Sequence, residues 1–88
     1  MSKRARGIKL ALMRLIVKAD EEGFAMREED LVRDLRGIHP APGLAEVREC
    51  VNALDADQMV VTVPDDDTRR FSPTPRGRAW KMQEEQGL

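Results

Sequence analysis

Aromatic residues are scarce in this 88-residue sequence, which has two Phe, one Trp and no Tyr. Proteins that bind single-stranded nucleic acid stack its bases on exposed aromatic side chains, so the composition argues against that class of binding. The hydrophobic core is therefore expected to be aliphatic. A chain of this length is expected to fold as one domain around a single small core.

Cysteine and long apolar segments are also scarce. The single cysteine, Cys50, excludes an internal disulfide and is consistent with a reducing compartment. No stretch approaches the roughly 20 apolar residues that a membrane span needs. The basic start of the chain is followed by an apolar stretch that Lys9, Arg14 and Lys18 interrupt, which is typical of an amphipathic helix and not of a signal peptide. We therefore expect a cytoplasmic protein with no membrane partner.

Charge is segregated along the chain, although the formal net charge is only −1. Residues 1–18 carry six bases and no acid, whereas residues 19–34 carry seven acids against two bases. Residues 68–81 carry five bases and no acid. Local patches matter more than the total for binding nucleic acid. The two basic segments are either contacts for nucleic acid or ordinary solvated faces, and the sequence leaves both possibilities open.

The spacing of apolar residues predicts four helices, at about 8–22, 27–36, 44–56 and 75–86. Gly23 is a natural left-handed cap for the first helix, and Thr74 followed by Pro75 is a typical helix start. The third helix is expected to bury one stripe, formed by Leu44, Val47, Val51 and Leu54.

A β-branched segment, residues 59–63, follows the third helix and predicts a strand, and residues 68–72 are the returning strand of a hairpin over residues 59–72. The acidic segment 64–67 between them has the composition of a turn. A short strand at residues 24–26 is a candidate to pair with this hairpin.

The first helix has a second apolar stripe, formed by Leu10, Met13 and Val17. Helices with two apolar faces are usually central in a domain or shared with a partner. The stripe therefore either packs against the last helix, whose main apolar anchor is Trp80, or forms the seam of a homodimer.

The second half of the chain resembles winged helix-turn-helix regulators of the MarR, PadR and ArsR kind. The residues that carry the resemblance are Leu54-Asp55-Ala56-Asp57-Gln58-Met59-Val60, the hairpin, and Phe71-Ser72-Pro73-Thr74-Pro75-Arg76-Gly77-Arg78. Residues 30–37 look like the second helix of the same motif. The resemblance implies an α+β fold that is mainly α, with a three-helix core, a β-hairpin wing and a C-terminal helix. Residues 8–86 would form this winged-helix domain, and residues 1–7 a basic N-terminal arm.

The resemblance also implies a small DNA-binding regulator of bacterial or phage type, which reads double-stranded DNA as a homodimer. Arg48 and Asn52 on the third helix are the right types to read guanine and adenine edges, and Glu49 is able to accept a hydrogen bond from cytosine. Phosphate contacts are predicted for the arginines of the wing and of the start of the next helix, which are Arg69, Arg70, Arg76 and Arg78. The predicted arm adds Lys3, Arg4 and Arg6.

Three features depart from the pattern of these regulators. Gln58 stands where a glycine normally caps the recognition helix, and the turn at residues 37–43 is long and rich in proline. Acids also dominate the outward face of the third helix, where Glu46, Glu49 and Asp55 stand against Arg48 alone. The alternative is therefore a winged-helix adaptor that binds a protein partner and not DNA.

Catalysis and metal binding have little support in the sequence. His39 is the only histidine, whereas metal sites need several converging ligands. No residue pattern supplies a nucleophile, a phosphate-binding loop or a pocket. We therefore expect no metal site, no cofactor and no enzymatic activity.

Overall fold

The computed structural model describes residues 2–87, which form four helices and one three-stranded antiparallel sheet. In chain order the elements are α1 (Lys3–Glu21), β1 (Met26–Arg27), α2 (Glu28–Asp34), α3 (Leu44–Ala56), β2 (Val60–Asp65), β3 (Thr68–Pro73) and α4 (Pro75–Gln86). The sheet has the order β1-β3-β2. The prediction of an α+β protein that is mainly α is confirmed, and so are the bounds of α3 and α4.

Helix α1 begins at Lys3, not at residue 8 as predicted. Ser2 is its N-cap, and the Ser2 hydroxyl accepts a hydrogen bond of 3.0 Å from the backbone N–H of Ala5. Residues 3–7 therefore belong to the helix, and the prediction that they form a separate arm is wrong. The apolar stripe starts only at Ile8, and for this reason it could not reveal the earlier helix start. Met1, the remaining residue of the predicted arm, lies outside the described residues.

The hairpin spans residues 60–73, and its turn is tighter than predicted. Strand β2 continues through Pro64 to Asp65, which pairs with Thr68, so that the turn is Asp66-Asp67 alone. Asp66 has a φ of +53°, a left-handed conformation that a short polar side chain tolerates. The candidate strand at residues 24–26 lies at Met26–Arg27 instead, where Met26 pairs with Phe71 of β3.

Helix α2 is shorter than the predicted range 27–36. Arg27 pairs with Arg70 in the sheet, and its backbone N–H donates to the Asp30 carboxylate over 3.2 Å. Helix α2 therefore starts directly after β1, the strand that is hydrogen-bonded to β3. This local geometry fixes the first helical residue, Glu28, next to the hairpin.

Phe71 on the central strand is fully buried, and aliphatic side chains from the helices and the hairpin surround it. Leu10, Met13 and Val17 are buried within this single chain, and Trp80 of α4 packs against the same core. The second stripe of α1 is thus covered by the chain itself, and a homodimer would need a different surface. Leu44 was expected in the core but is 44% exposed. It is the first residue of α3, and the buried residues of this helix begin only at Val47.

Gln58 links α3 to β2 with a φ of +60°, the left-handed conformation that usually calls for glycine. The adjoining hydrogen bonds fix this geometry. The Met59 N–H donates to the Leu54 carbonyl over 2.9 Å, and the Thr74 hydroxyl donates to the Gln58 carbonyl over 2.6 Å. A helix end and a helix start therefore meet at Gln58.

Replacing Gln58 by glycine is expected to raise the free energy of unfolding by about 1 kcal/mol, because glycine adopts this conformation without the Cβ clash. Chemical denaturation of wild type and variant measures the change. Gln58→Ala is the matched control, since it removes the side chain but keeps the Cβ. Equal stabilisation by both variants would show that the side chain, and not the backbone, is the source of the effect.

Candidate functional site

A groove lies between α3 and the hairpin, with the start of α2 at its base. Its volume is about 670 Å³. We call it the α3–hairpin groove, and its lining residues are Glu28, Glu29, Leu44, Arg48, Asn52, Asp66, Asp67, Thr68 and Arg69. Three of the predicted DNA contacts, Arg48, Asn52 and Arg69, therefore meet in one place although they come from two separate elements.

Glu28 is the centre of this groove and is only 6% exposed. One of its carboxylate oxygens accepts a hydrogen bond of 2.8 Å from Arg48 Nε, and the other accepts one of 2.7 Å from Arg69 Nε. Arg69 Nη2 also donates to that second oxygen. A single buried carboxylate thus binds a guanidinium from α3 and another from β3.

Arg69 makes two further contacts that fix its orientation. Its Nη1 donates to the Asn52 side-chain oxygen over 3.1 Å, and its guanidinium carbon lies 5.3 Å from the centre of the Phe71 ring. Guanidinium groups are attracted to aromatic faces at such distances. A continuous network of Asn52, Arg69, Glu28 and Arg48 therefore joins α3, the hairpin and α2.

Two opposing effects act on the pKa of Glu28. Burial raises the pKa, because it disfavours the charged carboxylate, but the hydrogen bonds and charges of Arg48 and Arg69 together outweigh burial. The net result is a pKa below the ordinary value of 4.5. The carboxylate is therefore ionised at neutral pH and remains a partner for both arginines.

The other predicted residue on α3, Glu49, lies on a different side of the helix. Successive helical residues are about 100° apart around the axis, so Glu49 is directed away from Arg48. It lines a second depression together with Lys9 and Cys50. The structure does not bring Glu49 to the α3–hairpin groove, and it could not act there beside Arg48 and Asn52.

Cys50 is buried beside α1. Burial raises the pKa of its thiol, and the positive charge of Lys9 offsets this only in part. A thiol with a raised pKa is a poor nucleophile at neutral pH. Cys50 therefore acts as a small core residue.

The remaining predicted DNA contacts on the hairpin and α4 lie away from the groove and from one another. Arg70 lies on the opposite face of β3 from Phe71, where it donates to Asp65 over 2.6 Å and to the Ala25 carbonyl over 2.8 Å. Arg78 pairs with Asp20 at the end of α1. Arg76 is exposed and has no acidic partner within residues 2–87.

The bases at the start of α1 also face acids of the folded chain. Arg4 donates to Glu46 over 2.7 Å, and Arg6 donates to Glu84 over 2.8 Å. The Arg4 guanidinium holds the pKa of the Glu46 carboxyl below its ordinary value. Lys3, the third predicted arm contact, is exposed and has no acidic partner among the described residues.

Ion pairs, most of them between distant segments, thus neutralise much of the basic charge. Ten of the fifteen Lys and Arg side chains have an acidic partner within 4.0 Å in residues 2–87. Sequence reasoning missed these pairings, and it also missed the role of Glu28 as a partner of two arginines. The only sequence signal for Glu28 was its position as an acid at the start of α2. Such a position does not by itself reveal that the carboxylate binds two arginines.

Comparison with known proteins adds information about the fold. No family model matches the sequence, and no curated protein matches it. The chain shares its fold with AF1382 from Archaeoglobus fulgidus. The crystal structure of AF1382 aligns with a TM-score of 0.76 over 98% of this chain and 86% of that chain, at 13% sequence identity. At this identity the similarity to AF1382 shows the fold alone.

Neither a membrane-spanning helix nor a metal-binding cluster occurs within residues 2–87. Every helix there is too short or too polar to cross a bilayer. The same residues contain no group of three or more His, Cys, Asp and Glu side chains placed to hold a metal ion.

Proposed function

We propose that this protein is a winged-helix regulator of bacterial or phage type that binds double-stranded DNA in the cytoplasm. In this proposal α3 is the recognition helix and the β2–β3 hairpin is the wing. The observation that carries the proposal is the meeting of Arg48, Asn52 and Arg69 in the α3–hairpin groove. These residues come from the two elements that contact DNA in the regulators that the sequence resembles.

The chemistry of the three side chains supports this assignment. Arginine matches the two acceptors of guanine in the major groove, and asparagine matches adenine. Arg48 and Asn52 are one helical turn apart on α3, so they project from the same side toward neighbouring base pairs. In this proposal Arg69 on the wing contacts the adjacent phosphates.

A second candidate function is binding to a basic segment of another protein. The observation that favours it is the charge of the groove, where Glu28, Glu29, Asp66 and Asp67 stand against only two arginines. Both of these arginines are already paired with Glu28. A groove with excess negative charge attracts lysine and arginine side chains and repels phosphates.

Titration with a random-sequence duplex tests DNA binding. We expect the backbone amide signals of α3 and the hairpin to shift at about 50 mM salt and much less at about 200 mM, because phosphate contacts release counterions. Arg76→Gln is expected to weaken binding several-fold, because Arg76 is an exposed predicted phosphate contact without an acidic partner in residues 2–87. Arg14→Gln is the matched control, because it removes the same charge from the far side of α1, where Arg14 pairs with Glu85.

No binding at low salt, or shifts confined to α1 and α4, would contradict the DNA proposal. Asp67→Lys separates the two candidates, since it replaces an exposed acid of the hairpin turn by a base. If the groove faces phosphates, this variant binds the duplex more tightly. If the groove binds protein, wild type captures a lysine- and arginine-rich peptide and Asp67→Lys loses it.

A further inference from the structure

We infer that Glu28 determines the specificity of this protein by withholding Arg48 and Arg69 from the phosphates of non-specific DNA. This inference rests on the proposed function, because it concerns the same groove. DNA recognition makes no use of a buried carboxylate, which repels phosphates. Glu28 nevertheless lies at the base of the groove and is bound to both of its arginines.

The geometry assigns one carboxylate oxygen of Glu28 to each arginine. The Arg48 side chain is 56% exposed and that of Arg69 is 33% exposed, whereas that of Glu28 is 7% exposed. The guanidinium groups are therefore within reach of a ligand in the groove, and the carboxylate is covered by them. A phosphate that approaches the groove meets two cations, and the single negative charge of Glu28 cancels one of their two positive charges.

This arrangement discriminates between types of DNA contact. A phosphate offers a guanidinium about the same charge-assisted hydrogen bonds as a carboxylate does, so random DNA gains little by displacing Glu28. Arg48 gives Glu28 only its Nε–H, so its Nη groups are able to donate to both acceptors of a correctly placed guanine while the bond to Glu28 stays in place, and random sequence supplies such a guanine only by chance. Glu28 thus lowers non-specific affinity more than specific affinity.

Glu29 provides a matched control in the same groove. It follows Glu28 directly and is exposed. Its carboxylate accepts a hydrogen bond of 3.2 Å from the Thr68 hydroxyl, and it has no arginine or lysine partner within the described part of the chain. Glu28→Gln and Glu29→Gln therefore remove the same charge from the same groove, but only the first releases two guanidinium groups.

The test measures the affinity for a random-sequence duplex as a function of salt. Each released arginine that binds a phosphate steepens the slope of log K against log salt by about 0.9. For Glu28→Gln we expect a slope steeper than that of wild type by about 1.8. Such a change makes the loss of affinity between about 50 and 200 mM salt roughly tenfold larger. For Glu29→Gln we expect higher affinity at low salt but a slope within about half a unit of wild type.

The outcomes are distinguishable. Equal slopes for Glu28→Gln and wild type, or equal changes for both variants, would overturn the role of Glu28 and leave DNA binding intact. Absence of binding by wild type and by Glu28→Gln at low salt would overturn both proposals.

Wild-type protein provides a second measurement if Glu28→Gln does not fold. The Nε–H signals of Arg48 and Arg69 report directly on their hydrogen bonds to Glu28. We expect these signals to stay in place while a random duplex shifts the backbone amides of α3. If the Nε–H signals move with the amides, the arginines leave Glu28 for non-specific DNA and the inference is wrong.

Discussion

Replacing Gly77 by alanine is expected to lower the free energy of unfolding by about 3 kcal/mol, at the upper end of the range for overpacked sites. A Cβ atom at this position would lie 2.0 Å from the Met59 carbonyl oxygen and 2.8 Å from the end of the Met13 side chain. The methionine side chain can move, but the backbone carbonyl cannot move freely because it accepts the Thr74 N–H over 3.1 Å. Relief of the clash would therefore separate α4 from the junction between α3 and β2.

The same separation would disturb the start of α4. The Thr74 hydroxyl caps this helix by accepting the Gly77 N–H over 3.0 Å, and it donates to the Gln58 carbonyl. The glycine in the segment Pro75-Arg76-Gly77-Arg78 is thus required by the close approach of two backbones. Its φ is negative, so a need for left-handed backbone is not the reason.

Gly7→Ala is the matched control for Gly77→Ala. Gly7 lies inside α1 and is exposed, and a methyl group added there would clash with nothing, since beyond its chain neighbours and the adjacent helix backbone no atom lies within 4 Å. Alanine is expected to stabilise the protein at this position by about 0.5–1 kcal/mol, because glycine is a poor helix former. Thermal unfolding should show a midpoint lower by more than about 10 °C for Gly77→Ala and a higher midpoint for Gly7→Ala. A loss below about 1 kcal/mol at Gly77 would contradict the close approach of α4 to Met59.

The double substitution Arg48→Gln and Arg69→Gln is expected to lower the free energy of unfolding by about 2–3 kcal/mol at neutral pH. It leaves the buried Glu28 carboxylate without either cationic partner. The estimate is below the usual range for breaking a buried ion pair, because both arginines are partly exposed and water screens their interaction with Glu28. Urea denaturation at pH 7 measures the loss.

The effect of pH on this loss has a definite sign. In wild type the pKa of Glu28 lies below its ordinary value of 4.5, so its stabilising contribution is present above that value and disappears as the pH falls through the folded-state pKa. Without the arginines, burial remains and raises the pKa of Glu28. The carboxylate then destabilises the variant at neutral pH, and protonation relieves this as the pH falls. The stability difference between wild type and double variant should therefore shrink from pH 7 to about pH 4.

Arg6→Gln with Arg14→Gln is the control for the double substitution. These arginines pair with Glu84 and Glu85 on α4, and removing them changes the net charge by the same amount. Exposed ion pairs contribute little to stability, so the control should unfold close to wild type at both pH values. A control that loses as much stability as the groove variant would mean that net charge, and not the burial of Glu28, causes the effect.

Helices α3 and α4 and the hairpin were predictable because their signals are local. The apolar spacing of residues 44–56, the β-branched residues before the acidic turn, and the Thr74-Pro75 start each act over a few neighbouring residues. Gln58 was identifiable as a departure from glycine, but only the structure shows that it keeps the left-handed backbone. The start of α1 was missed because the Ser2 cap lies outside the apolar stripe, and α2 was predicted too long because Arg27 pairs with a strand far along the chain.

The sequence by itself determined the order of helices and strands and the residue types available to a groove beside α3. Only the tertiary structure decided which basic side chains have no acidic partner, because ion pairs form between side chains that are distant in sequence and adjacent in space. Arg69 and Glu28 are 41 residues apart, and Arg4 and Glu46 are 42 apart. Local charge segregation therefore indicated two basic faces, and folding paired most of those bases with acids from other elements. The identity of Glu28 as the partner of both groove arginines depends on the packing of α2, α3 and β3 together, which no local pattern encodes.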